Sequence, residues 1–308
     1  MNLRNRFDAL IEGIEKRPPP LADTRVRRFA LLVAAVMLLS GMALSIAARP
    51  SLLKDLAPLP WLFLLACVPL TIGGNAAQFR ATAWLIGVHV SWRRATVISV
   101  LSTAANMLPL PGGSIVRIAA LKTASNSYVN TAGATMLTAG NWLGVSMTIA
   151  AIALAYKGNT SAALVLLSAG ICIIAIAAAL LGALGTVTVT ARFAGLCGVQ
   201  IATTAIGALR LVLCFLALDE VVSFADSLVL SLSAVFAAFI GVAPGGIGVV
   251  EGIAAAIASM IGVSAAATFV AATINRIASL LVIAPLALSL ARRNSDFIGS
   301  SSNGGGHP

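Results

Sequence analysis

Charged residues are scarce in this chain of 308 residues: they make up 10% of it, and only ten are acidic. Aromatic residues account for 6%, and no basic stretch is interleaved with them, so the formal net charge of +10 does not predict a nucleic-acid surface. The two histidines, His89 and His307, are far apart, and the four cysteines stand in apolar segments without paired spacing. We therefore expect no metal site, no disulfide framework and no cofactor.

Apolar residues dominate instead, at 59% of the chain with a mean hydropathy of +1.00. About 20 consecutive apolar residues span a bilayer as a helix. The sequence therefore predicts an all-α polytopic membrane protein with six full transmembrane helices, and not a soluble domain. The predicted spans are 29–48, 58–79, 131–156, 161–184, 198–218 and 264–290.

Two further apolar regions, 95–121 and 225–262, are each interrupted near the middle by Pro-Gly-Gly. Such a break leaves backbone groups without partners in lipid, and it is tolerated only where protein or a water-filled cavity surrounds it. Each region is therefore predicted to be a re-entrant helix pair or a broken span.

The two broken regions resemble each other. Val90–Arg117 reads "VSWRRATVISVLSTAANMLPLPGGSIVR", and Val222–Glu251 reads "VSFADSLVLSLSAVFAAFIGVAPGGIGVVE". Both open with Val-Ser-aromatic and both end past Pro-Gly-Gly, which indicates an internal repeat. We expect repeat one to cover about 58–156 and repeat two about 198–290. Re-entrant pairs entering from opposite faces would make the repeats inverted, as in many transporters.

The distribution of basic residues predicts the orientation. If both broken regions return to the face from which they enter, fourteen Lys and Arg residues lie in the cytoplasm and three outside. This split favours cytoplasmic N- and C-termini. Residues 1–28 are then a cytoplasmic segment leading into an uncleaved anchor, 29–293 the membrane domain, and 294–308 a polar tail predicted to be disordered.

Charges inside a membrane are costly and usually functional. Four fall within the apolar regions: Arg117, Arg210, Arg276 and the lone acid Glu251. One interpretation pairs Glu251 with an arginine for structure alone. The other is a cationic cavity that binds a phosphorylated anion, since arginine forks suit phosphate. Helix N-termini at Gly112–Gly113 and Gly245–Gly246 would add backbone donors.

"NMLPLPGGSIVR" and "APGGIGVVEG" resemble two sequence elements of the transmembrane domain of lysylphosphatidylglycerol synthases and related flippase-like integral membrane proteins. The resemblance covers roughly residues 25–293 and implies translocation of a lipid across the bacterial plasma membrane. Since only fifteen residues follow Arg293, we expect a stand-alone member without the synthase domain, and so no aminoacyl transfer.

The resemblance also implies which residues bind the lipid, and hopanoids and isoprenoid-linked glycans are among the substrates associated with related members. The residues expected from the motifs are Asn106, Pro111, Gly113, Arg117, Pro244, Gly245, Gly246, Gly248 and Glu251. Together with Gly112, Arg210 and Arg276 they make up the predicted binding site.

Other functions stay open at this point. The same repeat would serve a transporter of a soluble anionic metabolite, for which a sealed vestibule replaces the lateral opening that a lipid needs. The chain would alternatively be a non-transporting membrane partner of a lipid- or glycan-modifying enzyme. A membrane enzyme is disfavoured because no nucleophile–base pair, metal cluster or nucleotide-binding loop is visible, so we expect no catalytic residues.

Overall fold

A computed structural model describes residues 24–48, 50, 58–106, 112–125, 128–183, 189–240 and 246–299, and these ranges are helical with short turns between them. The helices are α1 (Thr24–Ala48), α2 (Pro58–Leu85), α3 (Trp92–Ala105), α4 (Gly112–Ser125), α5 (Tyr128–Tyr156), α6 (Thr160–Ala183), α7 (Val189–Ala217), α8 (Phe224–Leu230), α9 (Leu232–Ile240), α10 (Val249–Met260) and α11 (Ala265–Gly299).

Five of these helices are long and apolar enough to cross a membrane within the described residues: α2, α5, α6, α7 and α11. Large apolar side chains such as Leu62, Leu164 and Leu281 are more than half exposed on their outer faces, as lipid contact requires. The all-α polytopic class is therefore confirmed. The sixth expected span, 29–48, falls within α1, whose apolar part is described continuously from Ala35 to Ala48.

Helix α7 begins at Val189, nine residues before the predicted span 198–218. Arg192 in its first turn donates from Nη1 to the Trp84 carbonyl oxygen at 2.9 Å, and its guanidinium lies 5.0 Å from the centre of the Trp84 ring. These contacts fix the polar start of the helix to the end of α2. The hydropathy of the sequence does not indicate the residues of α7 before 198, because their helix is stabilised by contact with α2 and not by lipid.

The internal repeat is visible in the backbone at a constant offset of 132 residues. Helix α2 ends with a turn in which the Val88 amide donates to the Ala83 carbonyl, and α7 ends with Glu220 donating to Phe215. Gly87 and Asp219, at equivalent places in these turns, both have positive φ angles, of 76° and 54°. The next helix follows at the same distance in both repeats.

Ser91 and Ser223 cap those next helices, α3 and α8, with nearly identical backbone angles: φ is −66° and −68°, and ψ is 152° in both. Each serine hydroxyl accepts a hydrogen bond from the amide three residues later, of Arg94 and Asp226 respectively. A serine in this conformation satisfies one of the free amides of a helix start. The Val-Ser-aromatic pattern is therefore a helix-capping signal in both repeats.

The two repeats also contact each other reciprocally. Helix α5 of the first repeat packs on α7 and α8 of the second, and α11 of the second packs on α2 and α3 of the first, while α2 packs on α7. Such swapped contacts are those of a pseudo-twofold pair of units. Helix α6 lies outside both units and packs mainly on α5.

Close approach of α6 to α5 depends on two glycines. A Cβ atom placed on Gly170 would lie 2.8 Å from the carbonyl oxygen of Gly144, and one placed on Gly144 would lie 2.9 Å from that of Gly170. Small residues let membrane helices approach closely enough to gain packing energy where no hydrophobic effect drives association. The single span between the repeats is thus attached by its glycine face.

Candidate functional site

The first break is closed by a side chain that spans it. Helix α3 ends at Ala105, α4 begins at Gly112, and the Asn106 Oδ1 atom accepts a hydrogen bond from the Gly113 amide at 2.9 Å. A Cβ atom on Gly113 would lie 2.3–2.6 Å from the Asn106 side chain, so a glycine is needed there. Asn106 therefore accepts from the Gly113 amide, one of the backbone donors at the α4 N-terminus that we expected to bind a ligand. Pro111 lies outside the described residues.

Arg117 is on the second turn of α4 and reaches back to α3. Its Nε atom donates to the Ser102 hydroxyl at 3.3 Å, and Ser102 is fully buried. Within the described residues no carboxylate lies within ion-pair distance of Arg117. Arg117, on the pair of helices α3 and α4, is thus a partly buried cation. Its hydrogen-bond partner among the described residues, the Ser102 hydroxyl, is neutral.

The second break has a left-handed backbone. Gly246 and Gly248 have φ angles of 64° and 77°, a region that side-chain-bearing residues rarely adopt. Gly248 is the N-cap of α10 and supplies no side-chain hydrogen bond. Pro244 and Gly245 lie outside the described residues. The glycines therefore set the direction in which α10 begins, and they bring Glu251 within its first turn.

Glu251 and Arg276 form a buried ion pair. Arg276 Nε donates to one Glu251 carboxylate oxygen at 2.6 Å and Nη2 to the other at 3.3 Å, while Nη2 also donates to the Gly246 carbonyl at 3.0 Å. The Glu251 side chain is 0% exposed and that of Arg276 is 18% exposed. Glu251 and Arg276 are therefore paired with each other, as the first of the two sequence interpretations expects. In this state the Arg276 charge is neutralised and does not contribute to a cationic cavity.

This ion pair joins α11 to the turn before α10 as well as to α10 itself, because the Gly246 carbonyl lies in that turn. Removing one member of a buried ion pair typically costs about 3–5 kcal/mol, since the other charge is left without compensation. The pair is therefore a structural element of the second hairpin in addition to being a candidate site.

Arg210 is buried without an acid. It is 5% exposed in the C-terminal third of α7, and its Nη1 atom donates to the Thr71 hydroxyl of α2 at 3.1 Å. Nη2 donates to the Asn275 carbonyl at 3.1 Å and to the Ser279 hydroxyl, both on α11. Among the described residues Arg210 Nε and Asn275 Oδ1 have no hydrogen-bond partner.

Arg210 is thus a membrane-interior cation held by neutral groups from both repeats, with no carboxylate in ion-pair distance within the described part of the chain. A buried charge without a counter-charge is unfavourable unless a ligand supplies one. Arg210 contacts the part of α11 that carries Arg276. The Asn275 carbonyl that accepts from Arg210 belongs to the residue directly before Arg276.

The predicted set therefore divides into three groups. The first group is the ion pair of Glu251 and Arg276 with the Gly246 carbonyl. The second is Asn106 with Gly113. The third consists of Arg117 and Arg210, which contact no other member of the predicted set through a described hydrogen bond. The hydroxyls of Ser102, Thr71 and Ser279 were not predicted. Serine and threonine are common in membrane helices, and nothing local in the sequence singles these three out.

Two uncharged polar residues in the spans, Asn141 and Gln200, join helices to each other. Asn141 Nδ2 on α5 donates to Gln200 Oε1 on α7 at 2.6 Å, and Gln200 Nε2 donates to the Thr138 carbonyl at 3.0 Å. Asn141 and Gln200 are both fully buried. This amide pair binds the two repeats together and leaves no free group for a ligand.

An apolar groove lies one to two helical turns from the ion pair. It lies between α1, α10 and α11, has a volume of about 280 Å³, and is lined by Gly41, Leu44, Ser45, Ala255, Ala265, Ala266 and Phe269. Ala255 is one helical turn beyond Glu251, and Phe269 is two turns before Arg276, so each lies on the same helix face as the charged residue. The groove is open toward the lipid-facing side, where Leu44 is 70% exposed.

No protein-family model matches this chain, and no curated protein sequence matches it. The resemblance to flippase-like proteins therefore depends on the two sequence elements that contain the breaks.

Proposed function

We propose that this protein is a lipid translocase of the bacterial plasma membrane, which moves a lipid with an anionic head group from one leaflet to the other. Its two repeats are inverted, each broken region is a re-entrant hairpin, and both termini are cytoplasmic. It is a stand-alone, non-enzymatic relative of the flippase-like domain of lysylphosphatidylglycerol synthases. The lipid belongs to the phospholipid, hopanoid or isoprenoid-linked class.

The observation that supports this proposal is the apolar groove one helical turn from Glu251. A lipid needs a polar place for its head group and an apolar place for its chains, and a soluble anion needs only the first. The groove between α1, α10 and α11 begins one turn from Glu251 and opens on the lipid side. It favours a lipid over a soluble metabolite as substrate.

Arg210 and Arg117 are the cations assigned to the head group, because neither is neutralised by an acid of the described residues. Two guanidinium groups suit a phosphate, which accepts paired hydrogen bonds from each. The Thr71 and Ser279 hydroxyls accept from Arg210 and donate their own hydrogens to the Cys67 and Asn275 carbonyls, so the guanidinium groups are the donors left for the head group. Without a phosphate the arginines remain costly, so we expect an anionic lipid to be preferred over an uncharged one.

The test is lipid movement in vesicles of phosphatidylcholine that contain fluorescent phosphatidylglycerol, followed by dithionite quenching of the outer leaflet. We expect movement above the protein-free rate. Replacing Ala255 with Trp fills the groove, and the rate should fall about tenfold, as loss of about 1.4 kcal/mol of interaction implies. The matched control is Ala256→Trp, since Ala256 is exposed on the neighbouring face of α10.

Head-group recognition is tested in the same vesicles with Arg210→Gln. We expect it to lower the preference for phosphatidylglycerol over phosphatidylcholine. Arg80→Gln is the control, because Arg80 stacks on Trp92 at a helix end and lies outside the buried set. Movement of every anionic lipid at the protein-free rate would overturn the proposal for those lipids. Uptake of inorganic phosphate without lipid movement would indicate the solute transporter instead, and purification of a tight complex with a lipid- or glycan-modifying enzyme without lipid movement would indicate the partner role.

A further inference from the structure

Glu251 lies in the first turn of α10, directly after the break of the second broken region. Asp219 and Glu220 lie at the turn between α7 and α8, and Asp226 lies in the first turn of α8. Asp226 is already bound by Lys157 and by the Ser223 hydroxyl. Among the carboxylates of the described residues, Glu251 is therefore the one whose ion pair lies in the proposed lipid site, where a head group can replace it on Arg276.

We propose that the anionic head group competes with Glu251 for Arg276, and that Glu251 takes up one proton when the head group binds. The proton comes from water on the side to which the site is open, and it adds to a Glu251 carboxylate oxygen as Arg276 turns to the phosphate. Lipid binding is then linked to proton binding, and a proton gradient drives the lipid. This inference rests on the proposed function and adds its energy source.

The first step of the argument is access. The Arg276 side chain is 18% exposed and that of Glu251 is 0% exposed, so an incoming head group meets the arginine before the carboxylate. Arginine binds carboxylate and phosphate with the same planar fork of donors. The groove at Ala255 and Phe269 leads a lipid chain along the same faces of α10 and α11. The phosphate is therefore delivered to the cation that Glu251 now holds.

The second step is charge balance around Glu251. Helix α10 packs against α11, α9, α8 and α1. Of these, α11 provides Arg276, α9 carries no titratable residue, and the acid of α8, Asp226, is bound to Lys157. Basic residues of α1 are confined to its first turn, and the side chains there lie outside the described residues. Within the part of the chain that the structure describes, Arg276 is thus the cation that balances the charge of Glu251.

The third step follows from these two. A phosphate on Arg276 places two anions against one cation, and like charges at such a distance disfavour each other. Glu251 is the group that can lose its charge at low cost by binding a proton, since a neutral carboxylic acid still donates one hydrogen bond and accepts others. The Gly246 carbonyl, which now accepts from Arg276, lies beside it as an acceptor.

The linkage has a definite sign. Because the lipid-bound state holds one more proton than the free state, the affinity for an anionic lipid rises as the pH falls. The rise is at most about tenfold per pH unit for one linked proton. By reciprocity, the lipid makes proton binding tighter by the same factor.

Proton uptake is measured directly on the full chain in detergent, in weakly buffered solution with a pH indicator. Addition of short-chain phosphatidylglycerol should remove up to about one proton from solution per lipid bound, and short-chain phosphatidylcholine should remove none. In Glu251→Gln the phosphatidylglycerol still binds, but proton uptake and the pH dependence of binding are lost. Asp226→Asn, which alters a buried ion-paired acid outside the site, should behave as the unmodified protein.

Glu251→Asp covers the case in which Glu251→Gln does not fold, because aspartate keeps both the charge and the proton site; it should retain uptake. Phosphatidylglycerol binding without proton uptake by the unmodified protein would overturn the inference and leave the proposed translocase standing. Uptake that persists in Glu251→Gln would overturn it too. Binding with uptake, but no lipid movement in vesicles, would support the charge exchange and overturn the translocase. If no anionic lipid binds, both fail.

Discussion

At the scale of single residues, three arginines of one chemical type have three different environments. Arg276 has a fully buried carboxylate on two of its nitrogens, Arg117 has one serine hydroxyl, and Arg210 has neutral oxygens from two other helices. The free energy of each charge depends on those partners, because the lipid around the helices provides none. This is why Arg276, which exchanges Glu251 for the phosphate, is assigned to coupling, whereas Arg117 and Arg210 are assigned to head-group binding alone.

The Asn106–Gly113 contact gives a prediction at this scale. Gly113→Ala pushes a methyl group into the Asn106 side chain and should destabilise the protein by about 1–3 kcal/mol. Asn106→Ala removes the acceptor of the Gly113 amide and should cost about 0.5–2 kcal/mol. The double variant should lose less than the sum, because the clash disappears with the asparagine.

Unfolding free energies in mixed micelles, followed by circular dichroism, check this pair. Gly140→Ala is the control, since a Cβ atom there meets nothing within 4 Å, and it should be neutral or slightly stabilising. Additivity of the two single variants to within about 0.5 kcal/mol would show that the side chain does not close the break.

At the scale of helices, the same short signals work in both repeats. The helix ends before Ser91 and Ser223 carry equivalent turns, and the capping serines have the same backbone angles. These signals are local, so the sequence predicts them well. The start of α7 is not local: Val189–Gly198 is held by the contact between Arg192 and Trp84, 108 residues away, and the sequence placed that boundary nine residues too late.

The attachment of α6 provides the prediction at this scale. Gly170→Val should weaken the packing of α6 on α5 by about 1–3 kcal/mol, because the side chain would collide with the Gly144 backbone. Gly198→Val is the matched control: it has the same lower helix propensity, but Gly198 is exposed on α7 with no atom within 4 Å of the added Cβ.

Thermal unfolding in detergent, together with proteolysis of the α5–α6 turn, measures the difference between these two variants. We expect a lower midpoint and faster cleavage for Gly170→Val alone. Equal losses for both variants would mean that helix propensity, and not the glycine contact, sets the effect.

At the scale of the whole molecule, the packing of α2 on α7 brings Thr71 of the first repeat to Arg210 of the second, 139 residues apart in sequence. The packing of α11 on both helices adds Asn275 and Ser279 to the same contact. If the repeats are inverted, the equivalent loops before α3 and α8 lie on opposite faces of the membrane.

Exposed residues at the 132-residue offset test that orientation. His89 and Val221 are equivalent and exposed, so His89→Cys and Val221→Cys, each in a variant that lacks the four natural cysteines, are suitable labelling sites. An impermeant maleimide should label His89→Cys from the cytoplasm and Val221→Cys from outside. Labelling of both from one side would overturn the inverted arrangement and the position proposed for the hairpins.

The sequence by itself determined the helical membrane class and most span boundaries, because hydropathy acts over a few neighbouring residues. It predicted the two breaks and the repeat from the Pro-Gly-Gly and Val-Ser-aromatic patterns. It also singled out Glu251 and the three arginines as charges that need an explanation. The tertiary structure alone decided which arginine Glu251 binds, 25 residues away, and which hydroxyls hold Arg210. Those partners are set by how helices distant in sequence pack, and the energy of a buried charge depends on the atoms within a few ångströms of it.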